Sequence, residues 1–148
     1  MTYSNGDVYT GSWENHTPRG KGTMIFCGGT HSYSGSFDEG VFHGKGKLDI
    51  VRAAAGGGSE TLASYKGEWR YGLRSGKGFC CGTNRAAYEG DWLNNVPHGK
   101  GSLVDERGDR YGRKGSFGSV GSCVCFVCFL LGVGLTKNAD IREDLSSG

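Results

Sequence analysis

Four stretches of the chain mark every second position in the same way: Tyr9-x-Gly11-x-Trp13, Tyr33-x-Gly35-x-Phe37, Tyr65-x-Gly67-x-Trp69 and Tyr88-x-Gly90-x-Trp92. A period of two places the tyrosine, the glycine and the large ring of each copy on one face of a β-strand, with the residues between them on the other. Eleven residues after each tyrosine comes a second string: Gly20-Lys21-Gly22, Gly44-Lys45-Gly46, Gly76-Lys77-Gly78 and Gly99-Lys100-Gly101. The tyrosine-to-tyrosine steps are 24, 32 and 23 residues. The long step contains an insert from Ala53 to Ser59, rich in alanine and glycine, which reads as a flexible loop. Tyr111 opens a fifth copy, which fails where Arg113 replaces the glycine.

Counted from each tyrosine, offsets +11, +13 and +15 supply a returning strand, as in Gly44, Gly46 and Leu48 or in Gly99, Gly101 and Leu103. Turn signals lie between the two strings at Glu39-Gly40 and Tyr71-Gly72, so each copy is predicted to be a β-hairpin. In the outer copies the turn glycine is replaced by His16 and Asn95; asparagine enters the left-handed conformation more readily than histidine does. The glycines leave room for rings, and Trp13, Phe37, Trp69 and Trp92 are expected to lie over glycine backbone of adjacent strands. Burying one large side chain yields about 1.5–3 kcal/mol, and an isolated hairpin is marginal in water, so the hairpins must stack. The expected fold is all-β, an elongated single-layer antiparallel sheet of stacked hairpins over residues 1–112, followed by an irregular apolar C-terminal tail over 113–148.

Composition agrees. Of 148 residues 29 are glycine and only 2 proline, which excludes collagen, while 3 Trp, 7 Tyr and 7 Phe exclude a disordered linker. With 17 basic and 15 acidic residues the net charge is +2, too balanced for a dedicated nucleic-acid binder. The segment Met1 to Asp7 lacks the basic and apolar regions of a signal peptide, and the six cysteines do not form a disulfide framework. An intracellular, reducing compartment with mostly free thiols is expected.

Four copies in phase, each with the Tyr, Gly, aromatic, Gly and Gly positions filled, resemble the MORN repeat (membrane occupation and recognition nexus) over about residues 1–111. The resemblance implies a non-enzymatic scaffold for protein–protein interaction, membrane-proximal or cytoskeletal, cilia included. Such arrays also occur beside kinase or methyltransferase domains, so a regulatory fragment of a larger enzyme is an alternative.

Two surfaces are candidates for partners. The aromatic face carries Tyr9, Trp13, Tyr33, Phe37, Tyr65, Trp69, Tyr88 and Trp92, and could dock a helix; the sheet edges could take a strand or a second copy of the chain. The opposite face carries Lys21, Lys45, Lys77 and Lys100, one per hairpin, about 10 Å apart at the usual strand spacing. This ladder suits an acidic protein or anionic phospholipid head groups; it equally suits a solvated face with cross-strand ion pairs, in which Glu68 and Asp91 neutralise Lys77 and Lys100.

Catalytic and cofactor chemistry is not expected. Gly-Lys-Gly is followed by neither the Ser or Thr nor the helix of a phosphate loop. His43 and His98 lie two repeats apart, too far to share a metal, and Asp38-Glu39 and Asp105-Glu106 read as turn residues. In the tail, 120–135 is apolar and holds Cys123, Cys125 and Cys128, which lack a fourth ligand for zinc. Three readings of it stay open: a membrane anchor aided by acylation of those cysteines, a buried or partner-bound β segment, or an unrelated end following a broken repeat.

Overall fold

In the computed structural model, which describes residues 1–83, 85–105 and 107–114, nine strands form one sheet. They are β1 (Val8–Glu14), β2 (Thr17–Phe26), β3 (His31–Asp38), β4 (Val41–Ala53), β5 (Ser59–Arg70), β6 (Leu73–Gly82), β7 (Ala87–Leu93), β8 (Val96–Val104) and β9 (Arg110–Lys114). Their order in the sheet is their order in the chain, and every neighbouring pair is antiparallel. The fold is the expected single-layer stack of hairpins.

All four hairpin turns take the same form. Both central residues have positive φ: Asn15 and His16, Glu39 and Gly40, Tyr71 and Gly72, Asn94 and Asn95. This pair of left-handed residues matches the right-handed twist of the flanking strands. His16, at φ 64°, therefore conforms to the pattern despite its side chain. Each turn after the first also leans on the hairpin before it: Gly40, Gly72 and Asn95 donate their N–H to the carbonyls of Pro18, Phe42 and Arg74 at 3.0, 2.8 and 3.0 Å.

The insert departs from its expected form. Strand β4 runs up to Ala53 and β5 restarts at Ser59, with Val51, Arg52 and Ala53 paired to Thr61, Glu60 and Ser59. Arg52 and Glu60 form an ion pair across this extension at 2.8 Å. The tip turns on Gly57 and Gly58, with φ of 80° and 108°, and is closed by bonds from Ala54 N to the Gly58 carbonyl and from Gly57 N to the Ala54 carbonyl at 3.1 and 3.2 Å. Strand pairing satisfies backbone groups that a loop would leave to water, so the flanks of the insert zip up. At the other end β9 continues to Lys114, past the expected boundary at 112, because backbone pairing with β8 does not need the missing glycine of the fifth copy.

The core lies on one face. Each tyrosine lies flat along its own hairpin, over the paired glycines at +2 and +13; a Cβ on Gly22, Gly46, Gly78 or Gly101 would overlap the ring of Tyr9, Tyr33, Tyr65 or Tyr88. The phenol hydroxyl then donates to the carbonyl three residues on, Ser12, Ser36, Glu68 or Asp91, at 2.8–3.0 Å. It is thus the tyrosines, not the +4 rings, that occupy the space the glycines leave. The +4 rings stand edge-on as walls between successive tyrosines: Phe37 meets Tyr9 at 5.0 Å, Trp69 meets Tyr33 at 5.4 Å and Trp92 meets Tyr65 at 5.1 Å. Both inner indoles reach the preceding hairpin, Trp69 Nε1 donating to the Gly46 carbonyl and Trp92 Nε1 to that of Gly78.

A lid comes from offset +9, which the sequence pattern did not single out. Phe42 stacks on Tyr33 with ring centroids 3.8 Å apart and planes 8° from parallel. Arg74 takes the same place in the next hairpin, 1% exposed, its guanidinium 4.7 Å from the Trp92 ring centre and 5.6 Å from that of Tyr65. Asn95 steadies it: its side-chain oxygen accepts from Arg74 N and Nε, and its carbonyl accepts from Nη2. Among the described residues floor, walls and lid together bury the rings without a second layer of sheet or helix.

Candidate functional site

The two glycines of Gly-Lys-Gly serve different ends. The second is a space for tyrosine. The first, as Gly20, Gly44, Gly76 or Gly99, has a φ between 66° and 82°, a conformation L side chains rarely adopt. In each hairpin the register shifts between this glycine and its opposing strand, a bulge that bends the returning strand. The lysine held between them is thereby turned to the face away from the rings.

That face carries a groove of about 1140 Å³ crossing the strands from β1 to β8. Its floor includes the glycine pairs, and its lining includes Lys21, Lys45, Lys77 and Lys100 as expected, joined by Lys47 and Lys66. Every lysine before residue 114 is therefore in this groove, while none of the arginines with a described side chain is. Lys47 and Lys66 were missed because only residues repeating in all four copies were followed; strand alternation alone places offsets +14 and +1 beside +12 and +3.

The ion pair of Lys77 follows the register between hairpins rather than the repeat. Lys77 stands opposite Asp91 of the following hairpin and binds its Oδ1 at 2.5 Å, so the expected pairing of Asp91 with Lys100 is replaced by a backbone bond from Lys100 N to Asp91 Oδ2 at 2.9 Å. Glu68 likewise stands opposite Lys45 and accepts from the backbone N of Lys77. The Lys77 ammonium and then the Lys100 N–H hold the Asp91 carboxyl below its ordinary range. Lys21 donates to Ser36 Oγ at 2.9 Å, and Lys47 pairs with Asp49 at 2.9 Å.

The aromatic residues have a different place from the one expected. Tyr9, Tyr33, Phe37, Tyr65, Trp69, Tyr88 and Trp92 are 0–3% exposed and form the interior, so they hold the sheet together and present no ring face to a partner. Trp13 alone of the eight is accessible, at 39%, because no hairpin walls it on its outer side. Along the β1 edge, Met1 and Thr2 cover Tyr9 and Val8, leaving Gly11 to Glu14 uncovered.

Burial drives the phenol pKa values of Tyr33 and Tyr65 upward, since a phenolate would lose its hydration. Among the described residues Cys27, Cys80 and Cys81 form no disulfide. Among the described residues no helix is long and apolar enough to cross a membrane. Cys123, Cys125, Cys128 and the apolar 120–135 segment lie outside the described residues.

No curated protein matches the chain. The family model of the MORN repeat matches at residues 9–31, 33–50, 65–85 and 88–110, together more than half of the chain and each opening on one of the four tyrosines that define the hairpins. With that match and the hairpin stack both in place, the chain belongs to the MORN-repeat family.

Proposed function

We propose that this protein is a non-enzymatic scaffold that holds a partner protein inside the cell, in a membrane-proximal or cytoskeletal setting, and that the groove is its contact surface. The observation that carries this reading is the gathering of all six lysines of the hairpin array into one groove, floored by glycine, on the face that the core leaves free. Arg19 and Arg52 lie exposed elsewhere, so what sets the groove apart is that it gathers the lysines, compact charges on flexible stems that adapt to a partner's acids. A repeat sheet also presents such a surface without rearrangement, since each hairpin is braced by its neighbours.

The test is photo-cross-linking in cells from a benzophenone residue placed at Phe79, inside the groove, and at Arg52, on the strand extension away from it. Protein adducts from Phe79 and none from Arg52 are expected. Adducts from neither site, or equally from both, would remove the groove as a protein contact surface.

A further inference from the structure

The two ends of the groove differ. Over the first two hairpins it is walled by Lys21, Lys45 and Lys47 among Thr10, Thr23 and Ser34; Asp49 is bound to Lys47, Glu68 of the third hairpin stands opposite Lys45, and Lys21 meets only the Ser36 hydroxyl. Over the last two, Lys66, Lys77 and Lys100 are offset by Glu68, Glu89 and Asp91, and Phe79 faces the groove, 42% exposed. The groove thus passes from basic to nearly neutral and apolar along its length.

We infer that it receives an acidic segment of a partner protein, laid across the strands with its carboxylates over β1–β4 and an apolar side chain against Phe79. This rests on the scaffold reading above and names the chemistry of the partner. Eight strands about 4.8 Å apart span about 34 Å, the reach of about ten residues of extended chain at about 3.3 Å each. Successive Gly-Lys-Gly lysines stand two strands apart, about 10 Å, so a segment in the polyproline II conformation, with three residues per turn at about 3.1 Å each, turns an acid at every third residue to one lysine after another. A bilayer is flat and would touch only the rims of a groove, whereas a slender chain reaches its glycine floor. Charge complementarity supplies both the orientation and the salt dependence.

The experiment is fluorescence anisotropy with the full chain and a labelled peptide of about twelve residues, with aspartate at every third position in one half and leucines in the other. One control peptide carries asparagine for aspartate, a second carries serine for leucine, and vesicles containing phosphatidylserine form a separate arm. Binding that weakens with salt is expected. Replacing Lys21 and Lys45 by Glu lowers affinity by about tenfold, while the same change at Lys77 and Lys100 costs about threefold or less, because Lys21 meets only the Ser36 hydroxyl whereas Lys77 is already bound to Asp91. Phe79→Ser abolishes the preference for the leucine peptide. Far-ultraviolet spectra confirm that the variants remain folded.

Equal loss at the two ends, or no loss at either, overturns the proposal. So does preferential binding to the vesicles, or a dimer of the chain that the lysine substitutions dissolve. If the peptide fails to bind while cross-links from Phe79 persist, the acidic partner is wrong and the scaffold stands; failure of both removes both.

Discussion

The two faces of this sheet are built from the same strands and behave as different materials. On one, tyrosines lie flat on glycine, walled by rings and lidded at offset +9, and seven of the eight repeat aromatics are sealed from water. On the other, lysines and acids stand among threonines and serines, and Lys21 and Lys77 find their partners across the register on neighbouring strands. The contrast separates stability from recognition. A single-layer protein has one apolar face to hold it together, so the other is free to vary with its partner.

Removal of a buried ring should have the largest effect. Tyr65→Ala leaves a cavity between Trp69 and Trp92, and a loss of about 3–5 kcal/mol is expected from urea denaturation. A result below 1 kcal/mol would mean that the rings do not bear the stability assigned to them. Filling the floor is the inverse change: Gly46→Ala places a methyl group against Tyr33, and about 1–3 kcal/mol should be lost.

Alkali probes the same face without mutation. With Tyr33 and Tyr65 raised above the unfolded value of about 10, stability is complete below that pH and falls as pH rises above it, because only the unfolded chain then releases its phenol protons. Tyrosinate absorbance from these two should appear together with unfolding; ionisation in the folded state would contradict their burial.

The lid is expected to be more tolerant. Arg74→Phe restores the residue type of Phe42, keeps the Arg74 backbone bond to Asn95, and should change stability by no more than about 1 kcal/mol, whereas Arg74→Ala should cost about 2 kcal/mol. The smallest effect belongs to the groove. Lys45→Gln with Lys47→Gln should alter the unfolding midpoint by the equivalent of about 0.5 kcal/mol or less. A large loss there would erase the distinction between the faces.

Much of this architecture was legible in the residues. Tyrosine, glycine and a large ring at alternate positions, with Gly-Lys-Gly always eleven residues on, are local patterns with local physical causes, and they determined the hairpins, their turns and their order. The face of Lys21, Lys45, Lys77 and Lys100 followed from strand alternation alone. What only the tertiary structure decided depends on contacts between hairpins. Pro18, Phe42, Arg74 and Pro97 share offset +9 yet differ in chemistry, so no repeat in the sequence marks them; they become one lid because each hairpin presents that position to the same side. Asn95 replaces a turn glycine where its side chain also holds an arginine from the hairpin before. The pairing of Lys77 with Asp91 arises from the register between hairpins. Patterns within one hairpin are written in neighbouring residues; contacts between hairpins are set by how the twisted, bulged strands come to rest against each other.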